Sequence, residues 1–465
     1  MTISPTNSGV QLPHPPKRLP LLGDVLTTDF AKPAQSVLRS ARTLGPVFQH
    51  SVFGFSTIIV AGAAEIDEVN DESRWRKFVG PPLMKLRPIA GDGVFTAFDD
   101  EPNWRKAHNV LVPAFTKSAM SNYHSTILDT VRELVEAWSD LGPTWVDLPE
   151  YMNRLALEVM ARAGFSHSFS SMSDPNPGPF IGAMLRELRF AMRRTDVLPW
   201  FERTFLAGRL RRHHADLAYV NQVADEIIVA RRAAPSARPR DVLDLMLTSV
   251  DPQSGDTLDM TNIRYQILTF LIAGSETSAN AISFALHYLS RSQELAEQVR
   301  AEISEHWPGR DFPDIRYDEV AKLRGLRRVV DETLRLWPTA PGYFRQARCD
   351  TALSEGRYSV RTDDWVLVFL LAAHRDQVWG PDADVFNPHR FAPDKLRSLG
   401  PRVYKPFGTG PRACLGRQFA LHEIMVTLAV ILHQFDLEPD PDYQLDVVET
   451  VSVKPVGLRL RFRRR

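Results

Sequence analysis

Cys414 stands in the run Phe407-Gly408-Thr409-Gly410-Pro411-Arg412-Ala413-Cys414-Leu415-Gly416, and a helix-like pattern follows it. A cysteine binds metals as its thiolate, and a helix start or a nearby cation favours that form. Gly408, Gly410 and Gly416 let the backbone run close under a flat ligand. Arg412 is placed for a charge-assisted bond to a ligand carboxylate. Phe407 would wall the sulfur with apolar surface. The only other cysteine is Cys349, so a disulfide framework does not account for this thiol. A lone cysteine is most often inert core. The whole ten-residue pattern instead reads as a thiolate ligand to haem iron.

A second stretch carries proton chemistry. Residues Tyr265–Ser278 are apolar on nearly every side up to Ala273-Gly274-Ser275-Glu276-Thr277. Such a segment predicts a helix through the core. Gly274 inside a helix costs about 1 kcal/mol relative to alanine. An acid and a hydroxyl at mid-helix add the expense of burying polar groups. A sequence that accepts both costs reserves the place for function. Oxygen chemistry on haem needs protons delivered while bulk water is held off, and a hydroxyl beside an acid serves that need. Read alone, a Ser/Thr/Glu cluster is as readily a helix cap or an exposed kink.

Two further pairs matter less by themselves. Glu332 and Arg335 lie at i and i+3, which on most helices makes a surface pair of small value. Trp104 and His108 share a face at i and i+4, and a core tryptophan with a solvated histidine is the ordinary reading.

Phe407-x-x-Gly410-x-Arg412-x-Cys414-x-Gly416 resembles the haem-binding signature of the cytochrome P-450 family. The resemblance extends over nearly all of residues 19–460 and includes residues 91–98 (GDGVFTAF) and 334–341 (LRLWPTAP). Within the family it is closest to the haem domain of self-sufficient bacterial fatty-acid hydroxylases. It implies haem b held through Cys414, with Arg412, Phe407, Gly416, Trp104, His108 and Arg345 around the cofactor. It implies that Thr277 is the oxygen-side hydroxyl and Glu276 the relay acid. Glu332, Arg335 and Arg390 would form a buried structural triad, and Phe95, Ala273, Ala340 and Pro341 would line a pocket for a small apolar substrate. The implied reaction is a monooxygenation: one atom of O2 enters a fatty acid or related lipophilic molecule. Electrons come from NAD(P)H only indirectly, through a partner. A peroxide-driven peroxygenase and a non-enzymatic haem sensor are the alternatives, and the Glu276–Thr277 pair weighs against both.

Two departures from those hydroxylases shape the expectations. The chain ends at Arg465, so the electron donor is expected to be a separate ferredoxin or flavodoxin-type protein, with no fused reductase domain. A basic group comprising Arg402, Lys405, Arg412, Arg417, Arg105 and Lys106 is a candidate docking face for it. Where the hydroxylases carry an arginine and a tyrosine that hold the substrate carboxylate, this chain has Phe55 and Ile59.

These groups need a scaffold of helices. Periodicity predicts helices over residues 103–115, 124–138, 149–163, 180–194, 213–232, 240–249, 262–290, 293–306, 329–337 and 414–435. Strands are expected at 47–50 and 56–61 about Gly54, at 366–371, and along the alternating 451–462. The fold class is mainly α with a small β part, one large domain over 19–465 after a Pro-rich tail at 1–18. Stretches 173–179 and 233–240 read as loops. Lys+Arg and Asp+Glu both number 56, so no global field draws nucleic acid or an anionic membrane. The N-terminal residues lack a signal-peptide core and no run is long enough to span a bilayer, so no membrane anchor is expected. Two cysteines in 465 residues suit a reducing, cytoplasmic setting.

Overall fold

The computed structural model describes residues 11–172, 178–193, 207–233, 241–399, 403–450 and 452–465. Residues 1–10 of the expected tail, most of both expected loops, and Arg402 lie outside the described residues. Helices dominate and strands are short, the mainly α fold with a small β part. The chain forms two compact units.

The first unit comprises residues 1–80, 324–414 and 445–456. Its centre is a five-stranded sheet. The hairpin Val47–Val52 and Phe55–Val60 turns at Gly54, which has φ +82°. Phe55–Val60 runs parallel to Trp365–Phe369, which pairs antiparallel with Gly342–Ala347, and that strand with Trp75–Lys77. The last-named edge pairing joins residues about 270 apart in sequence, so no local pattern announces Trp75–Lys77 and Gly342–Ala347 as paired strands. One face of the sheet buries Val60, Trp75, Val366 and Val368. The other buries Phe48, Ile59 and Phe369. The expected strand at 366–371 ends at Phe369, and Leu370–Ala373 turns into a helix. Helix Arg324–Leu336 carries the Glu332–Arg335 pair and is strongly two-faced, with Leu326, Val329, Val330 and Leu334 buried.

The second unit comprises residues 81–323, 415–444 and 457–465. Its axis is the helix Met260–Arg291, capped by Asp259, whose side chain accepts from the Asn262 amide. Leu148–Phe165 and Arg417–Gln434 pack on it. Both are buried over most of their length, as an all-round apolar helix must be. Gly274 permits one of these approaches: a Cβ there would lie 3.0 Å from Met160 Sδ. The expected C-terminal strand is two strands, Val453–Val456 and Arg459–Arg464, broken at Gly457 with φ +67°. They belong to different units, so the alternation concealed a turn.

Candidate active site

In the first unit, Cys414 ends a loop whose geometry is fixed by its own backbone and by distant side chains. The Cys414 amide donates to the Phe407 carbonyl at 2.8 Å, closing the loop on itself. Gly408 and Gly410 have φ of +69° and +70°, and Gly410-Pro411-Arg412 forms a 3-10 turn. The thiol is exposed and neither cysteine is bridged. Phe407 and Arg412 are half-buried.

A polar clamp holds this loop. Asn70 Oδ1 accepts from Thr409 Oγ1 at 2.9 Å, from the Tyr343 hydroxyl at 2.8 Å, and more distantly from Arg345 at 3.4 Å. Arg345 also pairs with Glu72 at 2.7 Å. Burial pushes the Tyr343 hydroxyl up, so it stays a neutral donor. A Cβ on Gly410 would sit 2.1 Å from Glu72 Oε1. Arg345 is only 2% exposed and its Nε–H has no hydrogen-bond partner among the described residues. The Asn70–Thr409 bond spans 339 residues, and nothing near Asn70 or Glu72 in sequence singles them out.

Behind the loop lies the ion-pair triad. Arg335 and Glu332 are both fully buried, with Nε–Oε2 at 2.6 Å and Nη2–Oε1 at 2.8 Å. Arg390 Nε lies 3.5 Å from Glu332 Oε1, and the Asn387 amide donates to the same oxygen at 2.7 Å. Arg335 spends its remaining donors on the carbonyls of His374 and Ala383, each at 2.6 Å, and of Val385 at 3.3 Å. A buried charge is tolerable only when paired and hydrogen-bonded in this way. His374 continues the chain to the cysteine loop: its Nε2 accepts from the Lys405 amide at 3.2 Å. That acceptance places the ring proton on Nδ1. Complete burial, with Arg335 and Arg375 nearby, pushes His374 down to about 3. Ala340 is exposed and Pro341 half-buried at the entry to strand Gly342–Ala347.

In the second unit, Glu276 and Thr277 fall in the middle of the continuous helix Met260–Arg291, far from either cap. Thr277 Oγ1 donates to the Ala273 carbonyl at 2.7 Å, within one turn. Phe270–Ile272 before this turn and Ser278–Leu286 after it are buried, yet Ala273, Gly274, Glu276 and Thr277 are partly open. Trp104 and His108 lie on helix Pro102–Leu111 with rings 5.2 Å apart and tilted 31°. Phe95 is half-buried in the turn ahead of that helix. Gly416 is the cap position of helix Arg417–Gln434 and its carbonyl accepts from Ala420 at 2.8 Å. The helix thus begins three residues after Cys414, not at it.

The expected docking group loses a member. Lys405 is 8% exposed with Nζ 3.7 Å from Asp67, so it belongs to the interior. Arg105 and Arg417 are exposed.

A family model for cytochrome P450 matches residues 13–462. The chain belongs to the cytochrome P450 family. A bifunctional cytochrome P450/NADPH–P450 reductase of Bacillus subtilis is 39% identical over 436 residues, covering 92% of this chain and 40% of that protein. A bifunctional cytochrome P450/NADPH–P450 reductase of Bacillus cereus is 37% identical over 449 residues, covering 96% and 42%. The chain spans about two fifths of the length of these curated relatives. A crystal structure of a cytochrome P450, CYP102L1, superposes with a TM-score of 0.92 at 51% identity, covering 98% of this chain and 99% of that one.

The family carries haem b, and this chain's donor set suits it. Among the described residues no group of three or more His, Cys, Asp and Glu side chains could hold a bare metal ion. One thiolate suits an iron whose other positions a macrocycle fills. The exposed Cys414 thiol, the open turn in an otherwise buried helix, and the unspent Nε–H of Arg345 are each consistent with a bound group. Among the described residues no helix is long and apolar enough to cross a membrane.

Proposed function

We propose that this chain, acting over residues 19–465 as one haem domain, is a haem-thiolate monooxygenase that inserts one atom of O2 into an apolar, lipid-like substrate. The observations that carry the reading are Cys414 on its clamped loop in the first unit and an acid–hydroxyl turn at Glu276–Thr277 in the second. Haem b, when bound, supplies the redox chemistry that activates dioxygen. Cys414 Sγ would be its protein ligand, with Arg412, Arg345, Trp104 and His108 serving its edge. Phe407 and Gly416 flank the sulfur. Thr277 holds a hydroxyl proton at Oγ1, directed for now to the Ala273 carbonyl. Rotation about its Cα–Cβ bond frees that proton for a ligand. Glu276, one residue away, is half-exposed and can exchange protons with water. Electrons come from NADPH through a P450 reductase of the kind named in the bacillary relatives, or through a separate ferredoxin or flavodoxin-type donor. Replacing Thr277 with alanine should leave electron uptake intact and divert it to hydrogen peroxide. Full coupling of electrons to product in that variant would refute the role.

Substrate class is argued from the first hairpin. Phe55 is 55% exposed, whereas Ile59 is 2% exposed and packed with Phe48 and Phe369. Neither supplies a cation or a phenol for a carboxylate. Neutral lipids, fatty alcohols and amides should therefore bind in preference to the matching acids. A spin-state titration of the ferric protein with acids beside alcohols and amides tests this. Tighter binding of the acids would overturn the preference.

A further inference from the structure

Helix Pro33–Leu44, in the first unit, begins without the residues that ordinarily close a helix start. Lys32 is its cap residue and makes no side-chain cap bond, and the first turn holds no acid. Serine, threonine, aspartate or asparagine is the usual cap, and a lysine there sets positive charge against the positive helix end. The open amides of Ala34 and Gln35 are taken instead by Glu449, more than four hundred residues away. Its Oε2 accepts from the Ala34 amide. Its Oε1 accepts from the Gln35 amide and from the Gln35 side chain, both at 3.0 Å. Gln35 Nε2 also donates to the Val447 carbonyl at 2.9 Å, and Lys32 pairs with Asp446.

The hairpin thus held pairs Asp446–Glu449 with Val453–Val456, and Glu449 stands opposite Val453. A two-stranded hairpin is marginal by itself. Val447 and Val453 are buried, and the Val453 amide donates to the Thr339 carbonyl at 3.0 Å. The clasp and the Thr339 bond therefore act on the same cross-strand pair. Thr339 directly precedes Ala340 and Pro341. We propose that Glu449 is a positioning residue for substrate specificity: its clasp on the start of Pro33–Leu44 fixes the turn end of the hairpin at Thr339 and so sets the fit of a lipid-like chain beside Ala340 and Pro341. The inference rests on the oxygenase reading with Ala340 and Pro341 as pocket walls. A carboxylate suits the task because its two oxygens accept from three N–H groups at once, and the helix end favours its charge. Glu449 acts through the hairpin and touches no reacting atom.

Hydrogen exchange and a spin-state titration of the ferric, haem-loaded protein with dodecanol test this together. In the wild type the Ala34 and Gln35 amides should exchange slowly, unlike first-turn amides left to water. Glu449→Ala should release them. The same variant should retain haem as the wild type does, yet bind dodecanol about tenfold more weakly, the effect of one ill-fitted methylene in an apolar pocket. Its high-spin fraction at saturation should also fall. Gln35→Ala, which keeps the carboxylate, should move affinity and spin fraction the same way by less, and it decides the matter should Glu449→Ala fail to fold. Ala340→Phe probes the pocket itself and should weaken dodecanol binding. If Glu449→Ala and Gln35→Ala leave affinity and spin fraction unchanged while Ala340→Phe alters them, the clasp only steadies the helix and the proposal is overturned. If Ala340→Phe also changes nothing, the pocket reading has failed and the proposal falls with it.

Discussion

Gly410→Ala places a single methyl where two costs meet. The backbone holds φ at +70°, a conformation that costs an L-residue about 1–2 kcal/mol. The new Cβ would also stand 2.1 Å from Glu72 Oε1 and 3.0 Å from its Cδ. A glutamate tip ordinarily swings away cheaply. Here it is held by Arg345 at 2.7 Å, and Arg345 is 3% exposed on its side chain. Moving Glu72 therefore forfeits a charge-assisted bond worth about 1.5–3 kcal/mol. The sum is roughly 2.5–5 kcal/mol. Urea unfolding followed by circular dichroism should show that loss, together with weakened retention of haem. The two causes separate in a double-mutant cycle. Glu72→Ala alone loses the ion pair; in its presence Gly410→Ala should cost only the backbone share. The pair should thus be non-additive by about 1–3 kcal/mol, as expected for residues in contact. Strict additivity, or a Gly410→Ala loss below about 1 kcal/mol, would refute the idea that Glu72 is pinned against the cysteine loop.

Other outcomes follow from the same geometry. Glu332→Gln leaves two buried guanidinium groups facing a neutral amide and should destabilise by about 3–5 kcal/mol, read from the urea midpoint. A loss within the range of a surface pair would show the triad to be dispensable. His374 is held down to about 3 in the fold and unfolds to a free group near 6.5. The unfolded chain therefore binds the extra proton between those values, and stability is complete above about 6.5 and falls as pH drops toward 3. From about pH 6.5 to about pH 5 the wild type should lose up to about 2 kcal/mol more than His374→Gln. Identical pH slopes in the two proteins would clear His374 of the acid sensitivity.

Much of the candidate site was legible because the patterns that suggested it are local. The cysteine loop, the Ala273–Ser278 turn and the Glu332–Arg335 spacing each sit within one element, so residue type and offset suffice. Helix Gln293–His306 coincides with its expected bounds for the same reason: Ser292 caps it, accepting from the Leu295 amide. What escaped was long-range. Strands Trp75–Lys77 and Gly342–Ala347 exist because they pair with each other and with Trp365–Phe369, not because their own residues alternate. Lys405 looked like a surface cation because lysine usually is one. Its ammonium is interior because its amide is tied to His374 and Asp67 lies close by.

The first unit shows why a glycine-rich cysteine loop needs so much polar structure behind it. Gly408 and Gly410 give the backbone a path that most residues refuse, and that same freedom would let the loop wander. Rigidity must then come from outside the motif. It comes from two directions: Asn70 and Glu72, acting through Thr409, Tyr343 and Arg345, and Glu332, acting through Arg335 and His374 to the Lys405 amide. The Glu332 route is buried, so each bond in it is stronger than at the surface and each broken bond costlier; the Asn70–Glu72 route is half-buried. A cysteine loop fixed by side chains more than three hundred residues distant is defined by the fold as much as by its signature. Variants in the clamp should accordingly disturb cofactor retention without touching a single residue of the Phe407–Gly416 motif.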